Sequence, residues 1–240
     1  MHARSPAMEP TAPAQRCSHC GTCCRNGGPA LHEEDRPLVE NGPVHTRHLY
    51  TIRKGELARD QIRGGLIRVE SELIKIKGRG RSWTCLFLDE DSDRCRIYAH
   101  RPLECRELEC WDTARIEQVY DRGRLSRRAL LSGLPGRWEL IEDHERRCGY
   151  DRIRGWLQSM NGPHAREARA RLSESQAYDA ELRKLLVARG CVEPGQLDFL
   201  LGRPVEMVLR IQQRAGCGTL GDQIPEDARP YESGGREAGR

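Results

Sequence analysis

Aromatic residues and long apolar runs are both scarce in this sequence. Aromatic side chains make up 5% of the chain, with only two phenylalanines, whereas 32% of the residues are charged. Apolar burial alone therefore gives a modest core, and small cores commonly gain stability from metals or disulfides. Because eighteen consecutive apolar residues occur nowhere, no membrane-spanning helix is expected.

The first residues, MHARSPAMEPTAPAQ, contain no apolar run that could serve as the core of a signal peptide. We therefore expect a cytoplasmic protein that does not associate with membranes. In a reducing cytoplasm, clustered thiols favour metal binding over disulfide bonds. The odd number of cysteines, eleven, is consistent with that expectation.

Cysteine is abundant, and most of it is clustered. The stretch CSHCGTCC places four cysteines within eight positions. Its successive C-x-x-C steps allow three thiolates to converge on one metal ion or cluster. Side chains of adjacent residues tend to diverge, so Cys23 and Cys24 more readily serve neighbouring centres. With the four cysteines that follow, we predict eight metal ligands, forming two four-sulfur sites or one cluster plus one ion: Cys17, Cys20, Cys23, Cys24, Cys85, Cys95, Cys105 and Cys110.

The spacing of these cysteines favours iron over zinc. Cys17, Cys20 and Cys23 have the C-x-x-C-x-x-C rhythm of ferredoxins, although the C-x-x-x-C-P that follows there is missing. Zinc sites usually use two separated C-x-x-C pairs, and the later cysteines are too widely spaced for the second pair. The predicted cofactor is therefore an iron–sulfur cluster or iron, with zinc as the alternative. Five arginines beside the predicted ligands would offset thiolate charge and donate hydrogen bonds to sulfur: Arg25, Arg94, Arg96, Arg101 and Arg106.

The cysteine stretch, together with CLFLDEDSDRCRIYAHRPLECRELEC, resembles the cysteine-cluster family of zinc- or iron-chelating proteins, whose signature is C-x-x-C-x-x-C-C. The resemblance covers about residues 17 to 112 and implies metal chelation. The family includes a flagellin lysine methylase, but no Gly-rich loop after a strand marks a methyl-donor pocket here. The family pattern continues with a cysteine before a short apolar strand, which corresponds to Cys85 here. The motif C-x-I-Y-x-x-R-P-x-x-C-R follows, and its named positions are Cys95, Ile97, Tyr98, Arg101, Pro102, Cys105 and Arg106.

The order of local patterns predicts an α+β fold. A small cysteine-rich, metal-stapled part with a short β-hairpin precedes a mostly α-helical part. The hairpin is predicted to pair Leu73–Lys77 with Trp83–Leu88. The chain is predicted to begin with a disordered N-terminal tail (residues 1–16), followed by a cysteine-cluster metal-binding domain (17–112). A helical region packed on this domain (113–221) and a disordered C-terminal tail (222–240) complete the predicted organisation.

Helical patterns dominate after Asp112. Before that point, Pro37 is expected to interrupt one short helix and Pro102 to limit another. Four later helices are predicted. The first is capped by Asp112 and ends near Gly123, and the second runs from about Ile141 to Met160. The third runs from Pro163 to Gly190 with Leu172, Leu182, Leu185 and Leu186 on one face, and the fourth follows Pro204 and buries Val205, Val208 and Leu209.

Other cysteines and histidines have ordinary structural interpretations. His144 and Cys148 have the i, i+4 spacing of paired metal ligands, but we predict a core cysteine and an exposed histidine. His19 lies inside the cysteine stretch and is predicted in a solvent-facing turn. Cys191 and Cys217 stand alone and are predicted as small core residues.

Three functions from different classes fit the sequence. The first is a metal-binding protein with an iron–sulfur or iron centre and a role in redox or metal handling. The second is a zinc-binding structural or interaction module. The third is a metal-stapled nucleic-acid-binding protein, using twelve arginines against six acids between residues 122 and 171. Because stacking aromatics are few there, nucleic acid is the least favoured partner. The sequence identifies no protein partner and no catalytic residue, and it leaves open whether the protein is an enzyme.

Overall fold

The computed structural model describes residues 17–80 and 82–216 and has the predicted α+β architecture. Three antiparallel strand pairs occupy its first part, and helices make up its second. The strands are β1 Leu49–Ile52, β2 Leu57–Arg59, β3 Leu66–Arg68, β4 Leu73–Ile76, β5 Leu88–Asp89 and β6 Arg94–Cys95. The α-helices are α1 Thr22–Arg25, α2 Arg36–Glu40, α3 Leu103–Glu107, α4 Ala114–Val119, α5 Arg127–Leu131, α6 Arg137–Cys148, α7 Tyr150–Gln158, α8 Ala165–Ala188, α9 Leu197–Leu201 and α10 Val205–Gly216.

Short 3-10 helices connect several of these elements. They span Glu33–Asp35, Thr46–His48, Tyr98–His100, Ser159–Asn161 and Pro194–Gln196. None of the helices in the described ranges combines the length and the apolar character that a membrane crossing requires. The predicted terminal tails and Cys217 lie outside the described residues.

Strand β4 is the centre of the main sheet. It pairs with β1 antiparallel, with Leu49 opposite Ile76. On its other side, β4 contacts the segment that follows the cysteine stretch. There the Leu31 N–H donates to the Ile74 carbonyl at 2.8 Å. Just before this edge, a Cβ at Gly28 would lie 2.3 Å from the Ile76 carbonyl oxygen. Only glycine therefore allows the two backbones to approach this closely.

The predicted hairpin is wrong in its partner. Leu73–Ile76 pairs with β1, about twenty residues earlier, rather than with the segment that follows it. Contact between the two predicted arms includes the single bridge from Gly78 to Cys85 and a hydrogen bond from the Leu86 N–H to the Lys77 carbonyl. Strand pairing is decided by which apolar face becomes buried, and here Ile74 and Ile76 are covered together with Leu49.

Two predictions about helix continuity are wrong. Pro37 does not interrupt a helix but lies in the first turn of α2, where its missing N–H costs nothing. The predicted helix from Ile141 to Met160 is two helices, α6 and α7, separated at Gly149 with φ −64° and ψ 137°. Pro102 limits a helix as predicted, because α3 begins directly after it.

Most of the predicted apolar helix positions are buried. Leu172 and Leu186 of α8 are covered, whereas Leu185 is 46% exposed and does not belong to the buried face. Val205, Val208 and Leu209 of α10 are buried as predicted. Helix α9 packs on β1, where the Thr51 hydroxyl donates to the Phe199 carbonyl at 2.7 Å. The core cluster beneath this contact takes residues from both parts of the chain, including Leu31, Leu49, Ile74, Ile141 and Phe199.

A buried ion network centred on Arg53 ties the sheet to the helices. Arg53 is fully buried and donates to the Glu145 carboxylate at 3.1 Å and to the Cys148 carbonyl at 3.0 Å. It also lies 3.3 Å from Nδ1 of His144. Because Arg53 can only donate, Nδ1 accepts, and the Nε2–H of His144 donates to Asp179 at 2.8 Å.

The prediction of an exposed His144 is therefore wrong, since its side chain is fully buried, while Cys148 is a core residue as predicted. Burial lowers the pKa of His144, and the neighbouring Arg53 acts in the same direction. This histidine is held as a neutral link between two charged residues and is not available as a metal ligand.

Candidate metal centre

The cysteine stretch consists of a tight turn followed by one turn of helix. His19 (φ 55°) and Gly21 (φ 70°) both have left-handed backbone conformations, and Gly21 immediately precedes α1. Helix α1 carries Cys23 and Cys24 at successive positions, which point about 100° apart around its axis. The two thiols are nevertheless joined by a hydrogen bond, so that their service to neighbouring centres stays a prediction.

The eight predicted ligands divide equally by exposure. Cys85 is buried and three others are partly buried, which we term together the inner thiols: Cys24, Cys85, Cys95 and Cys105. The remaining four are exposed and are termed the outer thiols: Cys17, Cys20, Cys23 and Cys110. All ten cysteines in the described ranges are free thiols and so are available as ligands once deprotonated.

Backbone hydrogen bonds bring the inner thiols together. The Cys85 N–H donates to the Cys24 carbonyl at 2.7 Å. The Leu88 N–H donates to the Cys85 carbonyl at 2.9 Å, and Cys95 lies directly opposite Leu88 in the β5–β6 pair. Arg25 adds a side-chain link between the same segments, because it donates to the Cys20 carbonyl at 2.8 Å and pairs with Asp93.

The adjacent thiols Cys23 and Cys24 share a hydrogen bond and have opposite pKa shifts. The bond from Cys24 lowers the pKa of Cys23 to about 6. The same bond, together with burial and the charge on Cys23, raises the pKa of Cys24 well above its usual range. A hydrogen bond with Thr22, whose hydroxyl lies 3.2 Å from the Cys20 sulfur, also lowers the pKa of Cys20. The exposed thiols Cys20 and Cys23 therefore ionise more readily than the partly buried Cys24.

Burial makes the remaining inner thiols hard to ionise. It raises the pKa of Cys85 to about 11, and it also raises the pKa of Cys95 and of Cys105. Neighbouring thiolates contribute to the rise at each of these positions. Thiolates gathered in this way need a cation, and a bound metal provides one by displacing the protons.

The thiols are neighbours without being arranged around a common point. Within residues 17–80 and 82–216, no three His, Cys, Asp or Glu side chains stand at the spacing that would coordinate one ion. The chemistry of the donor set nonetheless fits zinc, iron or an iron–sulfur cluster, because soft thiolates are the ligands that these centres prefer.

The arginines beside the cysteines donate to backbone carbonyls and act on the sulfurs through charge. Arg96 donates to the Leu86 carbonyl and Arg106 to the Arg101 carbonyl. Arg101 stacks on the Tyr98 ring at 3.9 Å, and His19 contacts the same ring from the cysteine stretch. The Arg101 charge lowers the pKa of both Cys23 and Cys95. The predicted neutralising role fits these contacts, whereas the predicted hydrogen bonds to sulfur are replaced by bonds to carbonyls.

Two buried carboxylates lock the segments that carry the cysteines to each other. Asp35 accepts the Leu103 N–H at 2.8 Å, at the start of α3, where no neighbouring side chain caps the helix. In the opposite direction, Glu104 of α3 accepts the Ala30 N–H at 2.7 Å. We term Asp35 and Glu104 the carboxylate latch. Because Cys105 follows Glu104 directly, the latch fixes this cysteine relative to the stretch that ends at Ala30.

Charged neighbours keep Glu104, one of the two latch carboxylates, ionised. Burial acts to raise the pKa of Glu104, but a hydrogen bond with His32 and the charges of Lys75 and Arg124 lower it to about 2. Arg124 donates to this carboxylate at 2.6 Å. For Asp35, burial prevails over its two N–H bonds and raises the pKa. The sequence did not predict the role of either carboxylate, because no local pattern marks them.

Of the two cysteines outside the predicted ligand set that the structure describes, one lies in the core and the other at the surface. Cys148 is fully buried, and its thiol donates to the Ser175 carbonyl at 3.5 Å. Cys191 was predicted as a core residue, but it is exposed and the prediction is wrong. Its position just past the end of α8 leaves it at the surface.

Comparison with known proteins gives one match, which covers less than half of the chain. Residues 16–122 match the CxxCxxCC family model, which is described as a putative zinc- or iron-chelating domain. The match spans all eight predicted cysteines and the carboxylate latch. No curated protein and no solved structure matches the chain. The resemblance inferred from the cysteine pattern is confirmed, and with it chelation of zinc or iron as the coarse function.

Proposed function

Taking the zinc- or iron-chelating region at residues 16–122 as the premise, we propose that the protein holds an iron–sulfur or iron centre through its eight clustered cysteines. The observation that carries the proposal is the gathering of these free thiols around α1, with raised pKa at every inner thiol. A reducing compartment such as the cytoplasm would keep them available as ligands. We assign the protein a role in redox chemistry or metal handling.

The chain contributes the ligands and fixes their positions. The inner and outer thiols would hold the metal, and the latch would keep Cys105 beside the cysteine stretch. Arg101 offsets thiolate charge at Cys23 and Cys95, which favours the anionic ligand. A bound iron–sulfur centre would supply one-electron redox chemistry.

Zinc is the second candidate, and one observation favours it. The inner thiols come from well-separated segments that meet by backbone hydrogen bonds, as the ligands of a structural zinc site do. With four thiolates on one ion and no open position, such a site would stabilise the fold and have no catalytic role. The protein would then be a structural or interaction module.

Metal and acid-labile sulfide content, with a visible spectrum, tests the proposal on protein purified without oxygen. We expect iron with matching sulfide and a broad brown absorbance. Colourless protein with zinc would replace iron by the second candidate. Protein without bound metal, as purified and after addition of iron and sulfide or of zinc, would overturn both.

A pair of exposed cysteines provides the matched control. Cys20→Ser should lose bound metal, whereas Cys191→Ser should keep the wild-type content, because both thiols are exposed and only Cys20 belongs to the predicted set. Equal metal content in the two variants would sink the ligand assignment.

The helical region does not favour the nucleic-acid alternative. Several arginines between residues 122 and 171 are paired with acids, which lowers the positive charge that they present. The pairs include Arg124 with Glu104, Arg127 with Glu72 and Glu145, Arg146 and Arg147 with Asp143, and Arg171 with Glu174. Nucleic-acid binding depends on unpaired cations that release counterions from phosphates.

A further inference from the structure

The first cysteines of the chain are held in place by side-chain contacts. Within the described ranges, no backbone hydrogen bond joins residues 17–20 to another segment of the chain. Cys17 and Cys20 are both exposed, and both belong to the predicted ligand set. Because backbone pairing does not fix this segment, the positions of the two thiols depend on the side chains that reach it.

A hydrogen bond and a ring contact reach the segment. Arg25 of α1 donates to the Cys20 carbonyl at 2.8 Å and pairs with Asp93. The His19 ring lies 4.8 Å from the Tyr98 ring, measured between centroids, and the two ring planes are tilted by 53°. Tilted rings at about 4.5 to 7 Å attract each other. Because Tyr98 lies far along the chain, its ring ties the cysteine stretch to a distant segment.

The backbone conformation of His19 needs support from such a contact. Its φ of 55° is left-handed, a conformation that costs free energy for any residue with a Cβ. Conformations of this kind persist where surrounding contacts hold them, and they concentrate at functional sites. His19 stands between Cys17 and Cys20 in the sequence, so that the contact holding its backbone also sets the directions of both thiols.

Tyr98 is a firm anchor for this contact, although the residue is 40% exposed. The guanidinium carbon of Arg101 lies 3.9 Å from the centre of the Tyr98 ring, and Arg101 donates to the Tyr98 carbonyl at 3.2 Å. Arg106 in turn donates to the Arg101 carbonyl at 2.9 Å and pairs at 3.8 Å with Asp35, which is fully buried. This series of contacts connects the exposed ring to the carboxylate latch.

From these contacts we infer that Tyr98 is a positioning residue for the metal centre. Its ring holds His19 and thereby places Cys17 and Cys20 where they reach the metal. The inference rests on the proposed function and adds to it a residue that is not itself a ligand. Because the ring makes the contacts with His19 and Arg101, Tyr98→Phe should serve equally well.

Competition for zinc between the full-length protein and a chromogenic chelator tests the inference, with ferrous iron in place of zinc if the purified protein holds iron. Tyr98→Leu should weaken metal binding by about threefold to tenfold, the effect of losing one ring pair. Tyr98→Phe should bind metal as wild type does. Trp111→Leu is the matched control and should also bind as wild type, because Trp111 is likewise 40% exposed and follows the predicted ligand Cys110, but makes no ring contact among the described residues.

Three results would overturn the positioning role and leave metal binding intact. They are equal losses in Tyr98→Leu and Trp111→Leu, equal losses in Tyr98→Leu and Tyr98→Phe, and wild-type affinity in Tyr98→Leu. Wild-type protein that takes up neither zinc nor iron would instead overturn the proposed function.

A double-variant cycle tests His19 as the partner of Tyr98. His19→Gly removes the ring, and glycine adopts the left-handed backbone without steric cost. It should lose as much affinity as Tyr98→Leu, and the double variant should lose no more than either single variant. Additive losses would overturn the inference, because His19 would then act independently of Tyr98. Should Tyr98→Leu not fold, His19→Gly gives the same comparison at an exposed residue, and wild-type affinity there would overturn the inference.

Discussion

The cysteine-bearing part and the helical part of this chain both bury charged groups, but they differ in what completes each arrangement. In the network that joins the sheet to the helical part, Arg53, His144 and Asp179 are each matched by charged or hydrogen-bonding protein groups. In the cysteine-bearing part, the latch is matched in the same way, while burial and the charges of neighbouring sulfurs oppose ionisation of the inner thiols Cys85, Cys95 and Cys105. A chain with few aromatic residues thus uses side-chain ion pairs in one arrangement and, on the proposed function, a bound cation in the other.

The largest expected effect is the loss of an inner ligand. Cys105→Ser should lose metal and strongly lower the thermal midpoint of the cysteine-bearing part, because structural thiolate sites contribute on the order of 10 kcal/mol of apparent binding free energy. Metal analysis and calorimetry measure both effects. Cys191→Ser is the control and should change neither, since that thiol is exposed and outside the predicted set. Unchanged metal in Cys105→Ser would remove this cysteine from the predicted ligand set.

The second largest effect should come from the helical network. Asp179 is 2% exposed and accepts bonds from His144, Arg183 and the Val205 N–H. Asp179→Asn removes the nearer of the two carboxylates that pair with Arg183 and should lower the free energy of unfolding by about 3 kcal/mol. Denaturant unfolding gives this value. Metal content per folded molecule should stay at the wild-type level, and a parallel loss of metal would show that the two parts are not stabilised separately.

A smaller effect is expected at the latch. Glu104→Gln should cost about 1 to 3 kcal/mol, because the carboxylate accepts both a backbone N–H and an arginine. It should also weaken metal binding, measured by chelator competition, because Cys105 loses its fixed position. Glu72→Gln is a matched control, since Glu72 likewise accepts the Arg127 N–H and the Arg127 side chain. Equal metal affinity in the two variants would reduce the latch to a purely stabilising role.

The smallest predicted effect is a pH dependence of stability at two histidines. Burial lowers the pKa of His48 to about 4, and it also lowers the pKa of His144. Since the unfolded chain binds protons near pH 6.5, stability should fall as the pH drops from about 6.5 towards 4. Unfolding of metal-free protein across this range measures the slope, and His48→Gln should reduce it. Stability that rises over the same interval would contradict both shifts.

The part of this site that could be predicted is the part encoded locally. The spacing of Cys17, Cys20, Cys23 and Cys24 predicts thiolate ligands by itself, and the apolar spacing of α10 predicts its buried face. The carboxylate latch joins residues about 70 positions apart, as Asp35 does with Leu103. No local pattern indicates which buried N–H a carboxylate will accept, so this part of the site was not predictable.

The same distinction explains the errors in the fold. Strand β4 has a hydrophobic alternation that marks it as a strand, but its partner depends on which distant segment covers Ile74 and Ile76. His144 carries a polar side chain that pattern analysis places at the surface. It is buried because Arg53 and Asp179, from other elements, supply partners for both ring nitrogens.

The docking of the cysteine stretch against β4 also has a consequence for biosynthesis. The thiols at residues 17 to 24 leave the ribosome before β4, the strand that positions them, has been made. At about 5 to 20 residues per second, roughly 3 to 10 s of translation separate the two events. During that interval the four nascent thiols have no fold to select among metals, so that correct loading depends on which ions the surrounding compartment supplies.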